Sequence, residues 1–242
     1  MRAALRAEWT KLWTVAGPCG LLLGLIVATI GLSAAAGAVV TCASAGCDPL
    51  GPGLVGVRLG QAPAAVLAVL MISGEYSSGL IRTTLTAVPR RPVVLAAKAV
   101  VLAGVVAVAA TIAVLGSLAA AGTTARPGDG TTLRVTGGSI LYLVLIALLG
   151  LGVAAVVRDS ATSVGVILGL VYLFPVIAQV IGDPHWQRVL QRIAPMSAGL
   201  TVQATGDLGG LPLSPWAGLA VTAGWAAAAL VAGGLVLHFR DA

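Results

Sequence analysis

Charge is what this sequence has least of. Asp, Glu, Lys and Arg make up 9% of its 242 residues, 14 basic and 8 acidic side chains in all, and aromatic residues add only 4%. Soluble domains carry roughly a quarter charged residues, so too little charge is present to clothe a water-facing surface. A soluble enzyme, a disordered chain and a disulfide-stapled secreted domain are all poor readings on that ground. The net charge of +6 does not point to nucleic acid either, because the basic residues are strung between apolar segments rather than gathered on one face. What is present is apolar: 58% hydrophobic residues and a mean hydropathy of +1.03. The sequence reads as an integral membrane protein.

A helix needs about 20 apolar residues to cross a hydrocarbon core roughly 30 Å thick. Six segments qualify, at about 17–40, 54–73, 93–121, 139–157, 163–181 and 216–238. Their runs are continuous rather than alternating, which favours helices over a β-barrel. The expected fold is therefore all-α, one transmembrane domain over 1–242 with six spans. Glycine pairs such as Gly20/Gly24 and Gly165/Gly169 repeat at the spacing that lets membrane helices approach closely, although 32 glycines make such spacings common. Pro63 and Pro175 are expected to kink spans two and five.

Lys and Arg set the orientation. With the N-terminus in the cytoplasm, Arg2, Arg6, Lys11, Arg82, Arg90, Arg91, Lys98, Arg158 and Arg240 fall inside, and Arg58, Arg126, Arg134, Arg188 and Arg192 fall at the outer side. An even number of spans returns the C-terminus to the cytoplasm. The first span is expected to stay uncleaved, since its apolar run is long and the segment before it is itself patterned. Cys42 and Cys47 sit in the first external loop, where they form either a small disulfide or two free thiols. Cys19 in the first span reads as a small hydrophobe. No Cys/His cluster has metal spacing, and His185 and His238 lie far apart.

The membrane edges carry the pattern. Leu5, Trp9, Leu12 and Trp13 make one helical stripe before the first span, with Arg2, Glu8, Thr10 and Lys11 on much of the remainder. Tryptophans at headgroup level beside cations suit an in-plane interfacial helix over 1–16, and the plainer alternative is a flank that only orients the first span. Between spans two and three, Leu80, Ile81, Thr84, Leu85 and Val88 form a second stripe that Pro89 stops. Glu75 stands near the expected N-terminus of this helix and Arg90 and Arg91 beyond its C-terminus, as the helix dipole favours. A short rigid helix over 75–89 is expected, and a loop with so many specific features suggests a binding role. The segment 182–215 has amphipathic character around 185–193, then apolar character too short to cross; a re-entrant or surface hairpin fits it. Ionisable residues within the spans are scarce, which argues against proton- or ion-coupled transport. Arg58 and Lys98 lie near span ends, and Gln61 and Gln179 are the polar residues placed to face a pathway or a neighbouring helix.

The stretches Leu5-Arg6-Ala7-Glu8-Trp9-Thr10-Lys11-Leu12 and Gly74-Glu75-Tyr76-Ser77-Ser78-Gly79-Leu80-Ile81-Arg82-Thr83-Thr84-Leu85, followed by Pro89-Arg90-Arg91, resemble the membrane subunits of type-2 ATP-binding-cassette exporters, in particular actinobacterial permeases of that family. The likeness covers the whole chain in outline. It implies a bacterial plasma-membrane permease that pairs with a second permease subunit, as a homodimer or with a sister subunit, over two cassette ATPase subunits. It implies that ATP and Mg are bound by those ATPases, with no cofactor on this chain. The sequence agrees that the motor is elsewhere: a Walker A loop needs a Gly-Lys pair, and neither Lys11 nor Lys98 follows a glycine. By the resemblance, the helix over 75–89 is a coupling helix that docks on the ATPase through Glu75, Tyr76, Gly79, Arg82, Thr83, Leu85, Pro89, Arg90 and Arg91. The 5–13 helix lies beside it, and the 184–206 region caps the pathway outside. The implied cargo is hydrophobic or amphipathic.

Three other classes compete. A rhomboid-type intramembrane protease needs a Gly-x-Ser-Gly serine and a buried histidine, and neither is present. A channel or secondary transporter is expected to show paired repeats and intramembrane charge, which are not evident. A non-transporting permease that senses a ligand or confers immunity with its ATPase partner shares every sequence feature and is told apart by vectorial movement of substrate.

Overall fold

The computed structural model describes residues 2–14, 16–39, 50–77, 91–122, 130–181, 183–205 and 212–239. Among them every regular element is helical. A short helix α1 (Arg2–Thr14) precedes the first long one, α2 (Ala16–Val39). One turn, α3 (Gly51–Leu54), leads into α4 (Val57–Ser77), and α5 (Arg91–Ala120) and α6 (Gly130–Val157) follow. The next crossing is built from α7 (Ser160–Leu168), a π-helical turn over Gly169–Leu173, and α8 (Phe174–Val180). Then come α9 (Pro184–Ile193), α10 (Pro195–Gly199), a 3-10 turn over Leu200–Gln203, and α11 (Pro215–Phe239).

Among the described residues, six helices are long and apolar enough to cross a membrane: Gly17–Val39, Gly51–Tyr76, Val93–Ala120, Gly130–Val157, Ser160–Val180 and Pro215–Phe239. Leu23, Val27, Val108, Ile112, Leu133 and Val231 stand exposed on them. Such a surface would be a liability in water and is the expected one against lipid. The fourth span, α6, is packed by α4, α5 and α11, with Tyr142, Leu143, Ile146, Leu149 and Leu151 fully buried.

Close helix approach is made by glycines other than those the spacing singled out. A side chain at Gly56 or Gly60 would overlap Thr29 of α2, and the Gly56 N–H donates to Ser33 Oγ at 3.0 Å, so α4 starts directly against α2. Gly20, Gly165 and Gly169 have open space around them, and Gly24 meets only Pro63 at 4.0 Å. The prolines are accommodated within the ladder: α4 continues through Pro63, while Pro175 stands two residues after the end of the π turn, which widens the ladder where the proline ring would crowd the carbonyl four residues back. For reference, the end of the bundle bearing α1 is the near end, and the end bearing α3, α9 and the 3-10 turn is the far end.

Candidate functional site

The near end holds an ionic cluster. Lys98 sits on α5, about 8 Å past the start of its span at 1.5 Å per residue, and only 1% of it is exposed. Its ammonium has three donors, and all three are used: Glu8 Oε2 at 2.7 Å, Glu75 Oε1 at 2.7 Å and the Met71 carbonyl at 3.3 Å. Lys11 Nζ approaches the same two acids from the surface side, 2.6 Å from Glu75 Oε1 and 3.3 Å from Glu8 Oε1. Burial by itself lowers the Lys11 ammonium, but the hydrogen bonds and negative charge of Glu75 and Glu8 outweigh it and hold the group above its ordinary value. The whole sequence contains two lysines and two glutamates, and all four meet here. An ammonium is a compact charge that accepts partners from several directions, where a guanidinium's donors are confined to one plane.

This cluster changes the reading of α1. Leu5, Glu8 and Leu12 fall at i, i+3 and i+7, so the inward stripe carries an acid in its middle; Glu8 is 4% exposed and Leu12 is buried, while Trp9 is exposed. Trp13 lies in the last turn of α1. Thus α1 is fastened to the bundle by charge as well as by apolar contact with Val101 and Val105 of α5. Glu75 and Tyr76, expected in a separate loop helix, belong to the last turn of α4, and Arg91 opens α5. Gly79, Arg82, Thr83, Leu85, Pro89 and Arg90, with the rest of 78–90, lie outside the described residues, as do Cys42 and Cys47.

A second fastening at the near end centres on Arg158. It takes the left-handed conformation (φ 64°) that ends α6, donates to the Val236 carbonyl of α11 at 3.2 Å and places its guanidinium 5.4 Å from the Tyr76 ring centre. Its neighbour Asp159 caps α7 by accepting from the Thr162 N–H at 2.7 Å, and that bond holds its carboxyl below the usual range.

The far end holds a cavity of about 610 Å³. Val55, Met196 and Leu200 supply apolar wall, and Arg58, Gln179 and Gln191 line it with polar groups. Gln61 lies below the cavity, fully buried. It receives the Tyr142 hydroxyl on its carbonyl oxygen, and its amide donates to the Arg58 carbonyl at 2.9 Å and the Met196 sulfur at 3.3 Å. Tyr172 also donates to the Arg58 carbonyl, at 2.7 Å. Of the two glutamines expected to face a pathway or a neighbouring helix, Gln179 lines the cavity and Gln61 joins α4, α6 and α10 beneath it.

The segment after α8 turns back into the bundle. Asp183 caps α9 through the His185 N–H, and Ala194, Pro195, Ala198, Gly199, Thr201 and Val202 are buried. Trp225, about ten residues or 15 Å into α11, donates to the Ile193 carbonyl at 2.8 Å, so the tip of this hairpin reaches well down the bundle. Thr222 holds the Pro195 carbonyl at 3.1 Å, and Gly218 admits the Ala198 carbonyl where a side chain would overlap it. On the return, Gln203 donates to Ser139 at 3.0 Å and Arg134 to the Ala204 carbonyl at 2.7 Å.

Among the described residues the chain is thus all-helical, with six candidate spans, a charge-fastened helix at one end and a re-entrant hairpin before the last span. Residues 49–242, well over half the chain, match the family model described as ABC-2 family transporter protein. A search of the curated proteins finds no match. The family match does not bear on the actinobacterial likeness. This chain belongs to the ABC-2 family of transporter membrane proteins and is its multi-span permease component.

Proposed function

We propose that this permease is the membrane half of an ATP-driven exporter in a bacterial plasma membrane, with both termini in the cytoplasm. It pairs with a second permease subunit over two cassette ATPases, which bind ATP and Mg. Its cargo is a hydrophobic or amphipathic molecule moved from the near end to the far end. The observation that supports this best is the cluster of Glu8, Lys11, Glu75 and Lys98. It joins α1, the last turn of α4 and the first turns of α5, the two spans between which the 78–90 segment is strung. A displacement of that segment by an ATPase would be delivered to three helices at once. ATP binding favours one docking geometry, and the difference between geometries shifts the permease between conformations.

The test is reconstitution in liposomes with the ATPase that co-purifies with this chain. Arg82→Glu or Gly79→Pro is expected to abolish substrate-stimulated ATP turnover while membrane insertion is retained. Normal coupled turnover in both variants would overturn the docking role. Turnover without vectorial movement of substrate would favour the sensing or immunity class instead.

A further inference from the structure

We propose that the far-end cavity binds an amphiphile with an oxyanion head, a phosphate, sulfate or carboxylate on an alkyl chain, and that Arg58 is its counter-charge. This deepens the exporter reading, on which the cavity's place in a transport route rests. At about 610 Å³ the cavity is within the range of small-molecule sites. Its wall is divided: Val55, Met196 and Leu200 offer apolar surface, and Arg58, Gln179 and Gln191 offer polar groups. Among the described residues, no carboxylate lines it.

The availability of these groups differs. Thr201 and Gln203 also line the cavity, but the threonine hydroxyl donates to the Ala198 carbonyl at 2.6 Å and the glutamine amide to Ser139 at 3.0 Å, so both are held to the protein. Arg58 is held differently. Its backbone carbonyl accepts from both Tyr172 and Gln61, which fixes the turn, while its side chain stays exposed. A guanidinium has five donors and no acceptor, so the complementary ligand brings oxygen acceptors and negative charge. The same charge on a low-dielectric wall repels a cationic amphiphile. A headgroup at Arg58 leaves an alkyl chain against Val55 and Met196.

The experiment uses the full-length chain in nanodiscs of phosphatidylcholine, with thermal unfolding followed as short-chain probes are added. Hexyl phosphate is expected to raise the transition temperature saturably, while hexanol, hexyltrimethylammonium and inorganic phosphate do not at equal concentration. Arg58→Gln, which keeps the backbone carbonyl that the fold uses, is expected to weaken hexyl phosphate roughly ten-fold or more, and Arg58→Lys to restore part of the loss. Equal stabilisation by hexyltrimethylammonium or by inorganic phosphate alone would overturn the assignment, as would unchanged binding in Arg58→Gln. A repeat in discs containing phosphatidylglycerol separates two sources of the same chemistry. Competition identifies a membrane lipid headgroup, its absence a free amphiphile, and both outcomes support an oxyanion site. No ATPase is present in this assay, so its failure leaves the exporter reading standing, and failure of the ATPase to co-purify leaves the binding result standing.

Discussion

Lys98 and Glu75, 23 residues apart in sequence and on successive spans, meet at 2.7 Å with 1% and 7% of their side chains exposed. Opposite charges so far from water are stable only while each has its partners, because the cost of desolvation is recovered through their attraction and hydrogen bonds.

Removing one member should therefore be far worse than removing the exposed one. Lys98→Met leaves two buried carboxylates with only the partly exposed Lys11 ammonium between them and is expected to cost about 3–5 kcal/mol. Lys11→Met, at a side chain 40% exposed, should cost at most about 1 kcal/mol. Thermal unfolding of the detergent-solubilised variants measures both, and equal effects would refute the buried cluster as the main fastening of α1.

The Gln61–Tyr142 pair should show energetic coupling. Tyr142→Phe removes the donor to a buried carbonyl, and Gln61→Leu removes the acceptor. Each is expected to destabilise by about 1–2 kcal/mol, with the double variant milder than the sum by about 0.5–2 kcal/mol. Strict additivity in a double-mutant cycle would mean the two side chains act independently.

Two glycines give opposite expectations for one substitution. Gly56→Ala drives a methyl group into Thr29 and should destabilise by roughly 1–3 kcal/mol. Gly20→Ala meets nothing within 4 Å in the subunit and should leave the unfolding of the isolated chain unchanged.

The Lys11 ammonium gives a pH expectation. Its folded value is raised, so its contribution to stability is complete below the ordinary value of 10.5 and is lost only as pH climbs through the higher folded value. A stability profile between about pH 7 and 9 should show no step that Lys11→Met removes. A step in that range carried by Lys11 would show that the group is depressed instead.

The six long apolar runs were legible because a 20-residue span is written in consecutive residues. The ionic cluster was not, although each member was in view. Reading α1 by its apolar stripe put Glu8 on the polar side, yet Leu5, Glu8 and Leu12 share one helical face. Lys98 read as a flanking cation near a span end because its partners come from positions 8 and 75, and single-sequence periodicity carries no contacts over that separation. Composition held one usable sign: a chain with 12 arginines keeps just two lysines and two glutamates. Gln179 and Gln61 looked alike in sequence, both lone amides in apolar spans. What separates them is Tyr142 on another span, which occupies Gln61 and leaves Gln179 to line the cavity.

The cluster also has an electrical consequence. Its two ammonium and two carboxylate groups cancel, so the chain's net charge of +6 rests wholly on its surplus of arginine over aspartate. A charge carried across a membrane potential exchanges about 2.3 kcal/mol per 100 mV with the field, but a neutral quartet moving as a unit exchanges almost nothing. The membrane voltage therefore neither drives nor resists a movement of the quartet itself, and any coupling to the field falls on the arginines that the same helices carry, Arg2 and Arg6 on α1, Arg58 on α4 and Arg91 on α5.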